Sequence, residues 1–281
     1  MRNPAELILN DRGAIYHLDL MPHEVAPTII TVGDPQRVAQ VSQFFDHIDF
    51  IKTHREFVTH TGVLRGIPIS AISTGMGAEN IDIFMNELDA VFNIDFNTNA
   101  PKKKFTSLNI IRIGTSGTFH PNININEYVI NSHAIGFDAT LVAYVSLDFI
   151  STELAKSISE VTPLAPQYIS AADLSLLNIF KEIGHTGVTL TMPGFYAPQG
   201  RQLRLANKYS FDFEKLHKIK INDIALTNIE METAAIYKFA ELMGHKAISI
   251  NAILAHRVKN IFSQDANSTI NKLIVKVLAL I

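Results

Sequence analysis

Short apolar blocks and amphipathic blocks alternate along the whole chain. The short blocks are rich in β-branched residues and bounded by Gly, Pro, Asn or Asp, a pattern that predicts strands. The longer blocks repeat apolar residues at helical spacing. Strands are predicted at 28–32, 50–53, 57–64, 67–73, about 108–113, about 127–136, 187–192, 224–229 and 246–255. Helices are predicted at 35–45, from 77 to about 91, and at 151–160, 171–184, 233–244 and 270–281.

This alternation predicts an α/β protein. We expect a three-layer α/β/α single domain over residues 1–281 with a central mixed sheet, because helices that alternate with strands cover both faces of the sheet. Polar motifs follow several predicted strands, which indicates a ligand crevice at the carboxyl edge of the sheet. The sequence has no evident linker and no internal repeat.

The stretch 108–118 contains the least expected residue of the core. Its apolar run carries Arg112 and continues into Gly-Thr-Ser-Gly at 114–117, which we interpret as a strand that breaks into a small-residue turn. A guanidinium at the end of an apolar strand is costly unless it meets an anion. Backbone N–H groups and hydroxyls of such a loop can also face an anion. The sequence therefore predicts an anion site here.

Two further motifs combine polar groups with predicted helix starts. Gly33-Asp-Pro-Gln-Arg37 follows a strand and opens a helix, which makes a natural anion site. The simpler interpretation is a well-capped helix whose arginine is solvated. Glu230-Met-Glu232 precedes another helix, where the helix dipole by itself favours carboxylates. Neither motif decides the function alone.

Bulk composition excludes several classes of protein. The net charge of −3 argues against a general nucleic-acid surface or a polybasic membrane surface. The chain has no cysteine, which excludes disulfides and thiolate metal sites and fits a reducing compartment. No apolar run approaches a membrane span, and the N-terminus does not read as a signal peptide. We expect a cytoplasmic globular protein with a well-buried, oligomeric body.

Five motifs in order resemble the hexameric nucleoside phosphorylase family. They cover roughly residues 15–281 and are 33–37 (GDPQR), 54–57 (HREF), 73–77 (STGMG), 112–117 (RIGTSG) and 230–235 (EMETAA). The uridine phosphorylase branch is the most similar, because its Phe, Gln and Arg spacing is matched by Phe195, Gln199 and Arg201. The resemblance implies a pentosyltransferase that uses phosphate to release the base from a nucleoside.

The resemblance also implies roles for residues outside the base pocket. Phosphate would be bound by Gly33, Arg37, Arg112, Thr115 and, from a neighbouring subunit, Arg55. Ribose would be held by Glu232, Met231, Glu230 and, from the neighbouring subunit, His17. Glu230 has the alternative role of supporting its loop. Planar guanidinium donors suit phosphate, and a carboxylate accepts well from paired hydroxyls.

Specificity for the base is expected to depend on the 195–201 loop. A glutamine amide at Gln199 can pair with the N3–H and carbonyl edge of uracil, and Arg201 can stabilise the leaving anion. Phe195 and Tyr16 are expected to pack against the base or the sugar, with Arg257 bracing the pair. Purine-specific relatives have an aspartate where this sequence has Ala255, which argues against purines. A purine or broad-specificity phosphorylase that uses His256 as its acid is an alternative, as is a non-catalytic nucleoside-binding protein.

The resemblance sets expectations for partners and cofactors as well. Because Arg55 and His17 would be donated across an interface, with residues 1–27 contributing to the shared site, we expect at least a dimer. The family's usual assembly is a hexamer built as a trimer of dimers. No organic cofactor or catalytic metal is expected, and inorganic phosphate is the co-substrate. A monovalent cation at Glu56 stays open, as does the range among uridine, thymidine and deoxyuridine.

Overall fold

A computed structural model of the protein describes residues 5–145 and 151–281. The strands are β1 Thr28–Val32, β2 His47–His54, β3 Phe57–Leu64, β4 Ile67–Ser73, β5 Ile94–Asp95, β6 Ala100–Pro101, β7 Asn109–Thr118, β8 Tyr128–Gly136, β9 Tyr168–Ala171, β10 His185–Thr191, β11 Lys220–Ile221, β12 Ile224–Glu230, β13 Lys246–His256 and β14 Ile261–Phe262. The α-helices are α1 Pro35–Ser42, α2 Ala78–Asn93, α3 Thr152–Ser159, α4 Leu174–Phe180, α5 Phe213–Leu216, α6 Thr233–Met243 and α7 Ala266–Leu278. Strands and helices alternate, so the predicted mixed α/β class is confirmed.

Internal contacts group the chain into two compact units. Unit 1 runs up to Arg112 and includes Phe239–Lys246, and unit 2 comprises Ile113–Lys238 and Ala247–Ile281. Strand β7 begins in unit 1, and its residues after Arg112 are counted with unit 2.

In unit 1, strand β1 is parallel to β4 on one side and to β7 on the other. Strand β3 pairs antiparallel with both β4 and β2, so parallel and antiparallel ladders occur together. The register sets Val32 opposite Ser73 and Thr31 opposite Arg112. Because parallel strands end at the same edge of a sheet, the loops that follow β1 and β4 emerge side by side.

In unit 2, β10 lies parallel to β8 and β12, while β8 is antiparallel to β9 and β13. Strands β8, β10 and β12 are almost continuously buried, as expected for strands covered on both faces. Apolar residues of these strands form one cluster with residues from the flanking helices and loops. Its buried members include Phe119, Leu190, Met192 and Ile229. This cluster fixes the strand ends that carry the site residues.

Two local predictions are wrong. The glycines at 114–117 do not form a turn, because β7 continues to Thr118 and pairs antiparallel with β12. Gly117 serves packing instead: a Cβ there would lie 3.3 Å from Cδ of Arg257. The predicted helix at 171–184 starts only at Leu174, because Asp173 caps it by accepting a hydrogen bond from the Leu176 backbone N–H.

Candidate active site

In unit 1, the side chain of Arg112 lies beside two glycine-bearing loops. Arg112 is only 4% exposed. A Cβ added to Gly33 would lie 3.9 Å from Nη2 of Arg112 and 3.4 Å from the carbonyl oxygen of Gly75. A Cβ at position 33 would therefore be in van der Waals contact with the guanidinium. The structure thus brings Gly33 and Arg112 together, and it adds Gly75, whose φ of +68° favours glycine.

The start of α1 supplies the second part of this region. Asp34 caps the helix, since its side chain accepts from the Gln36 backbone N–H at 2.9 Å. Pro35 occupies the first helical turn, which needs no N–H donor there. Arg37 stands in that turn and is half-buried. The predicted capped helix and its arginine are both present, at the carboxyl end of β1.

Tyr16, His17 and Arg55 form one cluster in unit 1. The guanidinium carbon of Arg55 lies 5.8 Å from the centre of the Tyr16 ring, and the rings of Tyr16 and His17 meet edge to face at 4.9 Å. Sequence reasoning missed Glu87 on α2, whose carboxylate lies 2.6 Å from Nδ1 of His17 and also accepts from the His17 and Leu18 backbone N–H groups. These contacts fix the orientation of the His17 ring.

In unit 2, the Glu230 loop is held by its own hydrogen bonds. The hydroxyl of Thr191 donates to one carboxylate oxygen of Glu230 at 2.5 Å. The other oxygen accepts from the backbone N–H groups of Glu232 and Thr233, both at 2.9 Å. Both carboxylate oxygens are thus engaged within the chain, which favours the loop-supporting role of Glu230 over ribose binding.

The neighbouring ribose and phosphate candidates of unit 2 differ in exposure. Met231 is half-buried and Glu232 is 5% exposed at the start of α6. Thr115 on β7 is half-buried, next to Ser116, whose hydroxyl accepts from the side-chain amide of Asn228 at 3.0 Å. That contact ties β7 to β12, the strand that leads into Met231 and Glu232.

Phe195, Gln199 and Arg201 come together on the loop after β10. Nη1 of Arg201 donates to the side-chain oxygen of Gln199 at 2.6 Å and to the backbone carbonyl of Phe195 at 2.8 Å. The guanidinium carbon lies 3.7 Å from the centre of the Phe195 ring. Gln199 is 2% exposed, whereas Phe195 is 50% exposed. The glutamine amide is therefore held in one orientation, beside a half-exposed aromatic ring that the Arg201 guanidinium covers on one face.

Arg257 acts on this loop through its charge. Burial first, and then the nearby charge of Arg257, lower the pKa of Arg201 to about 10. Burial also lowers the pKa of Arg257, whose guanidinium carbon lies 5.0 Å from the centre of the Phe213 ring. A half-buried guanidinium whose charge is disfavoured by burial and by a second nearby guanidinium indicates a place suited to an anion or an electron-rich group.

Comparisons with known proteins decide the family. The family model described as "Phosphorylase superfamily" matches residues 27–279. The chain belongs to this superfamily. It is 31% identical to a uridine phosphorylase of Thermococcus kodakarensis over 92% of this chain and 84% of that protein. It is also 26% identical to a purine nucleoside phosphorylase of the DeoD type from Listeria welshimeri, over 92% of this chain and 95% of that protein.

Solved phosphorylase structures agree with this assignment. A Trypanosoma brucei nucleoside phosphorylase, described as showing uridine phosphorylase activity, superposes with a TM-score of 0.85 at 28% identity. The match covers 97% of this chain and 99% of that one. The predicted nucleoside phosphorylase fold, a mixed α/β arrangement with a central mixed sheet, is thereby confirmed.

Within this superfamily, two positions bear on the choice of base. Ala255 has its Cβ 3.6 Å from the Cβ position of Gly117, so the place carries a methyl group and no acid. His256 is 1% exposed, and its Nδ1 accepts from the Lys259 backbone N–H. Successive residues of a strand face opposite sides, so His256 points away from the side on which Ala255 and Arg257 approach Gly117. This placement argues against His256 as the acid of a purine phosphorylase.

The described residues do not include a cluster of potential metal ligands. Within 5–145 and 151–281, no group of three or more His, Cys, Asp or Glu residues has the arrangement of a metal site. The Glu56 side chain lies against Gly75, where an added Cβ would be 3.1 Å from its Cγ. In the same ranges, no helix is both long and apolar enough to cross a membrane.

Proposed function

We propose that this phosphorylase catalyses the reversible phosphorolysis of uridine or a related pyrimidine nucleoside to the free base and ribose 1-phosphate. The observation that carries the proposal is the Gln199–Arg201 pair, locked at 2.6 Å beside the Phe195 ring. An oriented amide matches the donor and acceptor edge of uracil. The similarity to uridine phosphorylases at 31% and 28% identity supports this choice.

The phosphate is proposed to bind at Gly33, Arg37, Arg112 and Thr115. One phosphate oxygen forms a bond to C1′ while the bond from C1′ to the base nitrogen breaks, and that electron pair stays on the base. The sugar passes through an oxocarbenium-like state, so the attacking dianion and the sugar attract each other. The low exposure of Arg112 strengthens its interaction with an anion, because little water screens it.

The departing base carries the negative charge of the broken bond. Arg201, with a pKa of about 10, stays protonated at neutral pH and can stabilise a uracil oxygen that gains this charge. Its hydrogen bond to Gln199 keeps it in place before the substrate arrives. Catalysis of this kind needs positioning and electrostatic stabilisation but no covalent intermediate.

The proposal is tested by incubating the protein with uridine and phosphate and following uracil release by ultraviolet absorbance. We expect turnover that requires phosphate, with uridine preferred over inosine. Turnover of inosine in place of uridine would move the assignment to purines, and equal turnover without phosphate would indicate a nucleosidase. Tight binding of uridine with no product would support the non-catalytic alternative.

We also propose a homo-oligomer, at least a dimer and commonly a hexamer in this family, in which His17 and Arg55 serve the neighbouring subunit. Their common cluster supports a joint role, because His17 and Arg55 both contact Tyr16. Mixing inactive His17→Ala and Arg112→Ala chains tests it. A mixed dimer would then contain one intact site, so activity should reappear after subunit exchange. Mixtures that stay inactive, or an active monomer on a sizing column, would contradict shared sites.

Phosphate and a nucleoside are the proposed small-molecule partners, without an organic cofactor, a nucleic acid or a membrane. A role in cytoplasmic pyrimidine salvage fits the proposed reaction, and the absence of cysteine fits a reducing compartment. Removing K⁺ and Na⁺ from the assay would decide whether a monovalent cation matters.

A further inference from the structure

A cavity in unit 2 is lined by residues that the proposed reaction does not use. Its volume is about 270 Å³, just below the range of about 300–1,000 Å³ that is usual for small-molecule sites. The walls are formed by Phe119, Pro121, Glu214, His217, Lys218, His256, Val258 and Lys259. His120 adjoins it, with its ring 5.8 Å from that of His217. The cavity combines an apolar floor with imidazole and ammonium groups.

His256 presents a buried donor at this cavity. Its Nδ1 accepts a hydrogen bond from the Lys259 backbone N–H in the turn between β13 and β14, so the ring proton sits on Nε2. Burial, together with the charges of Lys259 and His120, lowers the pKa of His256 and keeps the ring neutral. Among the described residues, Nε2 has no hydrogen-bond partner although His256 is only 1% exposed. A buried N–H of this kind calls for an acceptor.

Other groups at the cavity favour a negatively charged acceptor. Lys218 and Lys259 contribute two positive charges against the single carboxylate of Glu214. The ammonium group of Lys259 bonds to the side-chain oxygen of Asn124 at 3.2 Å, which holds it near the turn. Nδ1 of His217 is buried and has no hydrogen-bond partner within the described ranges. Lysine ammonium groups bind phosphate as point charges, so this set of groups suits a phosphate oxyanion.

We propose that this cavity is a second anion site that binds a phosphate group, either free phosphate or a phosphate monoester. The Nε2–H of His256 would donate to one phosphate oxygen, with Lys218 and Lys259 neutralising the charge. The site is distinct from the proposed phosphate site, because Gly33, Arg37, Arg112 and Thr115 do not line this cavity. It does not rest on the proposed reaction, since none of its lining residues has a part in it.

The test counts bound phosphate by isothermal titration of the full chain. Inorganic phosphate is expected to bind at Arg112 as well, so the titration is done in an Arg112→Ala background. We expect that background to bind about one phosphate per chain. His256→Asn should weaken this binding roughly tenfold or more, because it removes the Nε2 donor to a charged ligand. An asparagine side chain can still accept from the Lys259 N–H, so thermal unfolding should change little.

His256→Gln is the matched variant, since it keeps an amide donor near the Nε2 position but loses the acceptor of the turn. It should bind phosphate within about threefold of the parent while its thermal stability falls. Unchanged binding in His256→Asn, equal losses in both variants, or no phosphate bound in the Arg112→Ala background would overturn the proposal. Tighter binding of glycerol phosphate than of free phosphate would indicate a monoester, and the reverse order would indicate free phosphate. Acetate binding of equal strength would overturn the phosphate assignment.

Discussion

Arg112 sits on a strand of unit 1 and is 4% exposed, whereas Phe195 sits on a loop of unit 2 and is 50% exposed. Arg112 is positioned by the sheet, through its register with β1 and the approach of Gly33. The 195–201 loop is positioned by its own hydrogen bonds, with Arg201 bonded to Gln199 and to the Phe195 carbonyl. One region is fixed by strand pairing and the other by contacts within a few residues.

The difference separates two tasks of the proposed enzyme. Binding phosphate is common to every phosphorolysis, and a rigid sheet edge serves it well because the anion does not change. The preferred base differs between relatives, and a loop that selects the base can vary without disturbing the sheet. We therefore expect substitutions at the sheet edge to lower turnover of every nucleoside, and substitutions in the loop to change the preferred base.

The largest expected effect comes from Arg112→Ala. Removing a preorganised, poorly hydrated donor from the proposed phosphate should lower kcat/KM for uridine phosphorolysis by about 10²–10³-fold. Steady-state kinetics with varied phosphate measures it. Arg112→Lys is the matched variant, which keeps the charge but loses the planar fork and should recover part of the rate. Unchanged kinetics in Arg112→Ala would show that phosphate binds elsewhere.

Next in size is Gln199→Leu, which tests the loop side of the comparison. A leucine has a similar size but cannot pair with uracil, so kcat/KM for uridine should fall by about 10–100-fold. The KM for phosphate should change little, because the sheet edge is untouched. Gln202→Leu is the control, since Gln202 is exposed on the same loop. Equal losses for uridine and inosine would mean that Gln199 supports the loop without selecting the base.

The same contrast explains which features could be predicted from sequence. Strands β3 and β4 have the predicted bounds, 57–64 and 67–73, because turn residues delimit both blocks. The grouping of Phe195, Gln199 and Arg201 could also be predicted, because it is local: Gln199 and Arg201 are two residues apart. Glu87 could not be predicted, because it meets His17 across 70 positions of sequence and sits in an ordinary helical pattern. The extension of β7 through glycines was missed because only its pairing with β12 fixes their conformation.

A smaller effect is expected at acid pH. Glu24 of unit 1 should lose its stabilising contacts there, whereas the 195–201 loop of unit 2 should not be affected. Burial raises the pKa of Glu24, but hydrogen bonds from Arg12 and Lys52 outweigh it and lower the pKa from 4.5 to about 2. Between these values the unfolded chain binds more protons than the folded chain, so this stabilisation is complete above pH 4.5 and is lost as pH falls toward 2. The Gln199–Arg201 pair has no group that titrates in this window.

Urea unfolding at pH 6 and pH 3 measures this contribution. We expect the wild-type protein to lose about 2 kcal/mol more than Glu24→Gln between the two conditions. Asp11→Asn, an exposed change in the same segment, should leave the wild-type difference intact. An identical loss in Glu24→Gln and wild type would show that the Arg12 and Lys52 contacts carry no net stability.

The smallest effect is expected from Glu87→Gln, which asks whether unit 1 also contains a preorganised side chain. The amide removes the charge that accepts from Nδ1 of His17 and from two backbone N–H groups, which should lower the free energy of unfolding by about 1 kcal/mol. If His17 binds ribose, the KM for uridine should also rise several-fold while the KM for phosphate holds. Glu79→Gln, exposed on the same helix, should change neither constant. Lower stability with an unchanged KM for uridine would assign the His17–Glu87 contact to folding alone. Of that contact and the 195–201 loop, only the loop would then act on the nucleoside.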